Sequence, residues 1–193
     1  MGNYSTGKMG FAIALDLAKR GAHVILVCGP VNLQIDHPLI RRIDVTTANQ
    51  MYEVCMNNFS ACDGAIMTAA VADYSPVLTS SEKIKRSEGN MLLELKPNKD
   101  IAAELGKIKR ADQILVGFAL ETNDEISNAS AKLRKKNLDM IVLNSLREEG
   151  AGFGYDTNKV TILTRKDQVF EYSLKSKQEV ATDIVDRMLE LSC

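Results

Sequence analysis

Several residue types are scarce in this chain of 193 residues, and each scarcity excludes a class of function. Four cysteines occur, Cys28, Cys55, Cys62 and Cys193, and no two of them form a C-x-x-C pair. With only two histidines, His23 and His37, the ligands of a structural zinc site are missing. No secretory signal is expected, so a disulfide framework is not either, and the thiols are predicted to be buried and reduced. No apolar run approaches the roughly 20 residues of a membrane span. Neither sign of charge is in excess: 24 Lys plus Arg face 25 Asp plus Glu, for a formal net charge of -1. Nucleic acid and anionic membrane surfaces both call for a basic surplus, so neither is an expected partner. The chain reads as cytoplasmic, and any cationic site must be a local cluster made for a small anion. Internal repeats and linkers are also lacking, so residues 1–193 are read as one domain.

What is present is a globular composition, 45% apolar and 25% charged, on a chain long enough to bury a substantial core. Residues 7–20 predict a helix, with Ser5 or Thr6 as N-cap and Gly21 as the stop. That helix is apolar nearly all round up to Asp16, so it is expected beneath other elements. Short apolar strands are predicted over residues 23–28, 65–70 (the central one), 114–119 and 140–144, with further strands over 41–45 and 91–96. Helices are predicted over 46–58, 99–109 and 123–136. Residues 75–90, polar and holding Pro76 and Gly89, read as a long mobile loop, and residues 145–158 as a Gly-rich one. A hairpin over 160–164 and 169–173 precedes a closing helix that presents Val180, Ile184 and Met188 at helical spacing.

This alternation implies an α/β fold: a doubly wound, mostly parallel, Rossmann-like sheet with helices on both faces, ending in a β-hairpin and a helix. Such sheets bind ligands outside the carboxyl ends of their strands, at the switch point. A doubly wound domain usually opens with a strand, whereas here a helix comes first. The first strand is therefore missing, or another segment takes its place.

Four clusters could carry chemistry. Residues 2–8 match the spacing G-x-x-x-x-G-K, but Met9 stands where a P-loop needs Ser or Thr for magnesium, and no strand precedes it. What remains is Ser5, Thr6 and Gly7 at a helix N-terminus, whose N–H groups and dipole favour an anion such as a phosphate. An ordinary capped helix is the alternative. Residues 69–74 (AAVADY) follow the 65–70 strand, where small side chains admit a planar group. Asp73 there could accept from a hydroxyl or an amine, bind magnesium, or merely cap a turn. Lys83, Lys85 and Arg86 put three cations in the polar loop, suited to a polyphosphate or simply solvated. Lys132 and Lys136 lie four apart on one helix, where like charges repel unless an anion sits between them. Together these clusters describe a crevice for a nucleoside triphosphate or a phosphorylated substrate.

Residues 3–14 (NYSTGKMGFAIA) closely resemble a stretch of bacterial phosphopantothenate–cysteine ligase, the ligase domain of the bifunctional coenzyme A biosynthesis protein. Residues 69–74 (AAVADY), 83–86 (KIKR), 117–122 (GFALET) and 132–139 (KLRKKNLD) resemble the same family in the same order. The late Gly152, Phe153 and Gly154, with Asp156 and Asn158, fit it as well. The resemblance implies a two-step ligation in which the carboxylate of 4′-phosphopantothenate attacks the α-phosphate of CTP. Pyrophosphate leaves, and the amine of L-cysteine then displaces CMP from the acyl-cytidylate. Magnesium and lysines would offset the charge of the first step, and a donor would hold the acyl oxygen in the second.

By the same resemblance, Asn3 would bind the acyl-cytidylate and assist its conversion, and Lys83 would reach the triphosphate from a mobile loop. Met67, Thr68, Ala69, Asp73, Lys96, Pro97, Asn98, Lys99, Phe118, Lys132 and Lys136 would contact the nucleotide. Phe118, ending a buried strand, also reads as core. The family implies a homodimer, and commonly a flavin-dependent decarboxylase domain ahead of the ligase. This sequence departs from the family in having no strand and Gly-rich turn before Asn3, and in reading Lys-Pro-Asn-Lys-Asp over 96–100, where proline usually directly precedes the aspartate. Two other readings remain: a truncated, non-catalytic nucleotide-binding relative, and a nicotinamide-dependent oxidoreductase, which would need a G-x-G-x-x-G turn after a first strand.

Overall fold

A computed structural model describes residues 5–78, 80, 82–85, 90–121, 123–144 and 155–191. Five helices, α1 (Lys8–Lys19), α2 (Ala48–Phe59), α3 (Ile101–Ile108), α4 (Glu125–Lys135) and α5 (Lys177–Glu190), are found among them. The strands are β1 (Val24–Cys28), β2 (Ile40–Asp44), β3 (Gly64–Met67), β4 (Tyr74–Pro76), β5 (Leu95–Pro97), β6 (Ile114–Leu120), β7 (Met140–Asn144), β8 (Thr157–Asn158), β9 (Val160–Thr164), β10 (Val169–Glu171) and β11 (Lys175–Ser176).

The main sheet has the order β10-β9-β7-β6-β3. Strands β3, β6 and β7 run parallel, while β9 and β10 add the C-terminal hairpin in antiparallel sense. The runs ILVGFAL and MIVLN carry apolar side chains on both faces, as strands covered on both sides must. Successive residues then point to opposite layers. Leu115, Ile141 and Leu143 pack against Met51 and Phe59 of α2, Ile101 and Leu105 of α3, and Leu133 of α4. Val116, Met140 and Val142 pack on the other side against Ile13 of α1 and Val180, Ile184 and Val185 of α5. The sheet is thus doubly wound, as expected. Helix α1 lies against α5, where Arg20 donates to both Asp16 (2.6 Å) and Asp186 (2.5 Å).

Several expectations need correction. Residues 65–70 were expected to form a central strand, but β3 stops at Met67 and is the edge of the five-stranded sheet. Strands β1 and β2 form a separate parallel pair, and among the described residues β1 pairs only with β2, and β3 only with β6. The strand expected over 91–96 is confined to Leu95–Pro97, because it needs the β4 ladder, and β4 itself falls where the sequence reads as loop. The antiparallel pair β8 and β11 has no counterpart in the sequence reading. Helix α1 is capped not by Ser5 or Thr6 but by Gly7, whose φ of 78° is left-handed and suits a residue without Cβ. Gly21 does end the helix, at φ 92°. The thiols of Cys28, Cys55 and Cys62 are free, although only Cys28 is buried and the other two are half-buried. Desolvation pushes the Cys55 thiol up to about 11, so it is an inert packing group. Cys193 lies outside the described residues. Among those residues no helix is long and apolar enough to cross a membrane.

Candidate functional site

The parallel strands deliver their carboxyl ends to one crevice. Cys28 closes β1, Val45 follows β2, Thr68 follows β3 and Asn144 closes β7, and all four line a cavity of about 920 Å³. Phe118 of β6 separates it from a smaller adjoining chamber of about 170 Å³ and lines both. This is the position where open α/β sheets bind ligands, and the larger volume accommodates a drug-sized molecule.

The N-terminus of α1 opens onto the cavity through Ser5, Thr6 and Gly7. No side chain caps this helix, and its first turn holds no acid. Its leading N–H groups and the positive end of its dipole are therefore available to an anion. Helix α2 also starts at the cavity, but Thr47 accepts from the Gln50 N–H, and Gln50 reciprocates in a capping box. Its N-terminus is already satisfied. The two helix starts have different chemistry.

Close approach fixes α1 in place. A Cβ at Gly10 would lie 2.8 Å from Thr68 Oγ1, so the first turn of α1 sits directly on the residue that ends β3. Beyond Thr68 the chain leaves the sheet along Ala69, Ala70, Val71 and Ala72, whose small side chains line the cavity. Asn98 holds this stretch from below: its backbone N–H donates to Asp73 O and its Nδ2 to Ala72 O, both at 2.8 Å. Asp73 lines the smaller chamber.

The opposite wall is cationic. Lys96, Lys99, Lys132 and Lys136 come from β5, the turn before α3, α4 and the C-cap of α4, and each lines one or both chambers. Lys99 lies with its ammonium 4.0 Å from the centroid of the Tyr52 ring, a cation–π contact that positions the side chain. Lys132 and Lys136 do share a helix face, but they do not await an anion to relieve repulsion. Lys132 pairs with Glu121, and Lys136 with Asp100 at 2.9 Å. Asp100 also caps α3 by accepting from Ala103 N–H at 3.1 Å. Burial would push its carboxyl up, but the Lys136 and Ala103 bonds outweigh this and hold it below the usual range.

Lys136 is anchored by backbone. Asn137, in a left-handed conformation at φ 54°, donates from Nδ2 to Gly106 O at 2.7 Å. A Cβ at Gly106 would lie 1.9 Å from Lys136 O, so α3 and α4 touch through their main chains at this point.

The structure therefore brings together Ser5, Thr6, Gly7, Met67, Thr68, Ala69, Asp73, Lys96, Pro97, Asn98, Lys99, Phe118, Lys132 and Lys136 around two joined chambers. Lys83 stands apart, exposed and lining neither chamber. Asn3, Arg86 and residues 152–154 lie outside the described residues. Among the described residues, no group of three or more His, Cys, Asp or Glu side chains could hold a metal. Asn144, Lys8, Tyr52 and Lys177 are among the cavity residues that the sequence does not mark as site residues. Asn144, a polar residue ending an apolar strand, could have been found from the carboxyl-end rule. Lys8 belongs to the incomplete P-loop pattern, which gives it no role. Tyr52 and Lys177 carry no sequence signal.

Residues 1–191 match the DNA/pantothenate metabolism flavoprotein C-terminal domain. A cysteine/cysteine sulfinic acid decarboxylase from an unidentified prokaryote is 54% identical over 189 residues, covering 98% of this chain and 53% of that protein. The coenzyme A biosynthesis bifunctional protein CoaBC of Bacillus subtilis is 45% identical over 190 residues, 98% of this chain and 47% of that protein. The chain thus spans about half the length of the curated relatives it matches. Among solved structures, the C-terminal domain of a CoaBC protein superposes with a TM-score of 0.82 at 37% identity, covering 99% of this chain and 85% of that one.

Proposed function

Because the chain belongs to the family of DNA/pantothenate metabolism flavoprotein C-terminal domains, we propose that it joins 4′-phosphopantothenate to L-cysteine, using CTP, in coenzyme A biosynthesis. The observation that carries this reading is the convergence of an uncapped helix N-terminus and four lysines on one crevice at the ends of parallel strands. A nicotinamide-dependent oxidoreductase would also use a bare helix N-terminus, but through a G-x-G-x-x-G turn, and residues 5–10 here read STGKMG. Two anionic substrates that must meet do need such a set, since a carboxylate approaching a triphosphate is repelled until cations neutralise both.

In the first step an oxygen of the substrate carboxylate forms a bond to the α-phosphorus of CTP. The bond from that phosphorus to the β-bridging oxygen breaks, and pyrophosphate departs. Lys96 and Lys99 offset the charge, joined by Lys132 and Lys136 once phosphate oxygens take the place of Glu121 and Asp100, and the small side chains beside Asp73 accept the planar base. In the second step the cysteine amine attacks the activated carbonyl, CMP leaves, and the amine loses a proton as the amide forms. Asn3 is assigned the acyl oxygen through its amide. Magnesium would enter on the phosphates with at most a single carboxylate such as Asp73, since the described acids offer no cage. It would supply charge neutralisation.

Pyrophosphate release with CTP, magnesium, 4′-phosphopantothenate and cysteine tests the reading, with ATP as the control nucleotide. Release that depends on 4′-phosphopantothenate is expected. Calorimetric CTP binding by folded protein without release would replace the ligase with a non-catalytic nucleotide-binding relative. Lys83 is assigned to the triphosphate, which requires its side chain, exposed and outside both chambers here, to approach the crevice. Lys83→Gln is then expected to slow pyrophosphate release about tenfold or more, and unchanged release would remove the residue from the step.

The β4–β5 ribbon and its flanks expose Tyr74, Leu78, Met91, Leu92 and Leu93, with Leu92 97% accessible. So much exposed apolar surface favours a second copy of the chain, and a homodimer is proposed. Sedimentation at twice the 21.2 kDa chain mass is expected; a monomer at micromolar concentration would refute it. A decarboxylase segment or protein is the proposed functional neighbour, supported by relatives about twice as long, one named a decarboxylase and one bifunctional.

A further inference from the structure

The corner of the cavity formed by Lys8, Asn144, Asn158 and Lys177 is used by nothing above. Lys177 is the first residue of α5, yet it is buried, with 7% of its surface accessible. Its placement is over-determined. The β8–β11 ladder pairs Ser176 with Thr157, and the Lys177 N–H donates to Asp156 O at 3.0 Å. The Lys177 ammonium donates to Tyr155 O, and its other two protons meet no acceptor among the described residues.

The nearby carboxylate is committed elsewhere: Asp156 pairs with Lys8 at 2.5 Å. The corner thus holds two cations against one acid, beside the bare N-terminus of α1. Burial, and then the charge of Lys8, hold the Lys177 ammonium below its ordinary range, with Asp156 opposing them. A desolvated cation without a carboxylate of its own is costly to keep. An anion arriving in the cavity would remove that cost.

We propose that Lys177 is a substrate-binding residue whose ammonium holds the terminal phosphomonoester of the acyl substrate against the N-terminus of α1. The proposal rests on the ligase reading and adds to it a phosphate contact from the far end of the chain. A phosphomonoester has the three terminal oxygens needed to accept from both Lys177 and the first-turn N–H groups. The two phosphorylated ligands then use separate cations: Lys177 for the acyl substrate, and the lysines of β5, α4 and the α3 turn for the nucleotide. Lys177 would thereby set the preference for phosphorylated over unphosphorylated substrate.

Calorimetry with 4′-phosphopantothenate and with pantothenate, on the wild type and on Lys177→Met, tests this. The wild type is expected to prefer the phosphorylated ligand. In Lys177→Met that affinity should fall about tenfold to a hundredfold, with pantothenate binding unchanged, and Lys177→Arg should recover part of it. A Met variant that keeps the wild-type ratio of affinities overturns the proposal, as does a wild type with no preference. Should Lys177→Met fail to fold, Lys177→Gln, which keeps a donor for Tyr155 O, is read in the same way. Pyrophosphate release by the wild type judges the ligase reading separately. Release together with an unmoved ratio in the variant sinks the phosphate role alone.

Discussion

Gly106→Ala is expected to destabilise the protein by about 3 kcal/mol or more, at the upper end of what overpacking costs. The added methyl would lie 1.9 Å from the Lys136 carbonyl oxygen, which is main chain and has no rotamer to escape into. Relief requires α3 and α4 to separate, which stretches the Asn137 bond to Gly106 O and moves Lys136 relative to Asp100. Against a total stability of about 5–15 kcal/mol, the loss would be conspicuous in a urea melt as a lowered midpoint. Nucleotide affinity should fall with it. A destabilisation below about 1 kcal/mol would mean that the two helices have slack at this contact.

Asn3→Asp is expected to separate the two proposed chemical steps. A carboxylate cannot donate to the acyl oxygen, and it repels the negative charge that develops there as the cysteine amine attacks. Loss of one such donor costs about 10²–10³ in rate. Pyrophosphate should still be released, so the activated acyl nucleotide should accumulate and be visible by mass spectrometry in quenched reactions. Amide formation at the wild-type rate would take Asn3 out of the mechanism. Accumulation of neither species would place its role before the first step.

How much of this was legible beforehand depended on how local each signal was. Strands β6 and β7 were plain because burial on both faces demands unbroken apolar runs, and ILVGFAL and MIVLN supply them. Helix α1 was plain from its composition, although its cap was misassigned: Ser5 and Thr6 are good capping residues by type, and the left-handed Gly7 took the place. The β4–β5 ribbon was not legible, because Tyr74–Pro76 and Leu95–Pro97 show no alternation and are strands only by virtue of each other. Lys132 and Lys136 were recognised as a pair on one face, but their partners, Glu121 and Asp100, lie 11 and 36 residues away along the chain. Lys177 was out of reach, since nothing around it announces a site until the chain has closed.

That closure has a kinetic consequence. Lys8 and Asp156 are 148 residues apart in sequence, yet their ion pair and the docking of α1 on α5 build one corner of the crevice. Contacts of such separation form late, because the loop they close must first be ordered. On the proposed role of Lys177, binding the substrate phosphate and completing the fold are nearly the same event. Partly folded chains, even those with the β6–β7 core already packed, would have no affinity to share. A saturating ligand at that corner would draw the population towards the fully closed chain alone, by RT ln(1 + [L]/Kd), and would act as a selective stabiliser of finished molecules.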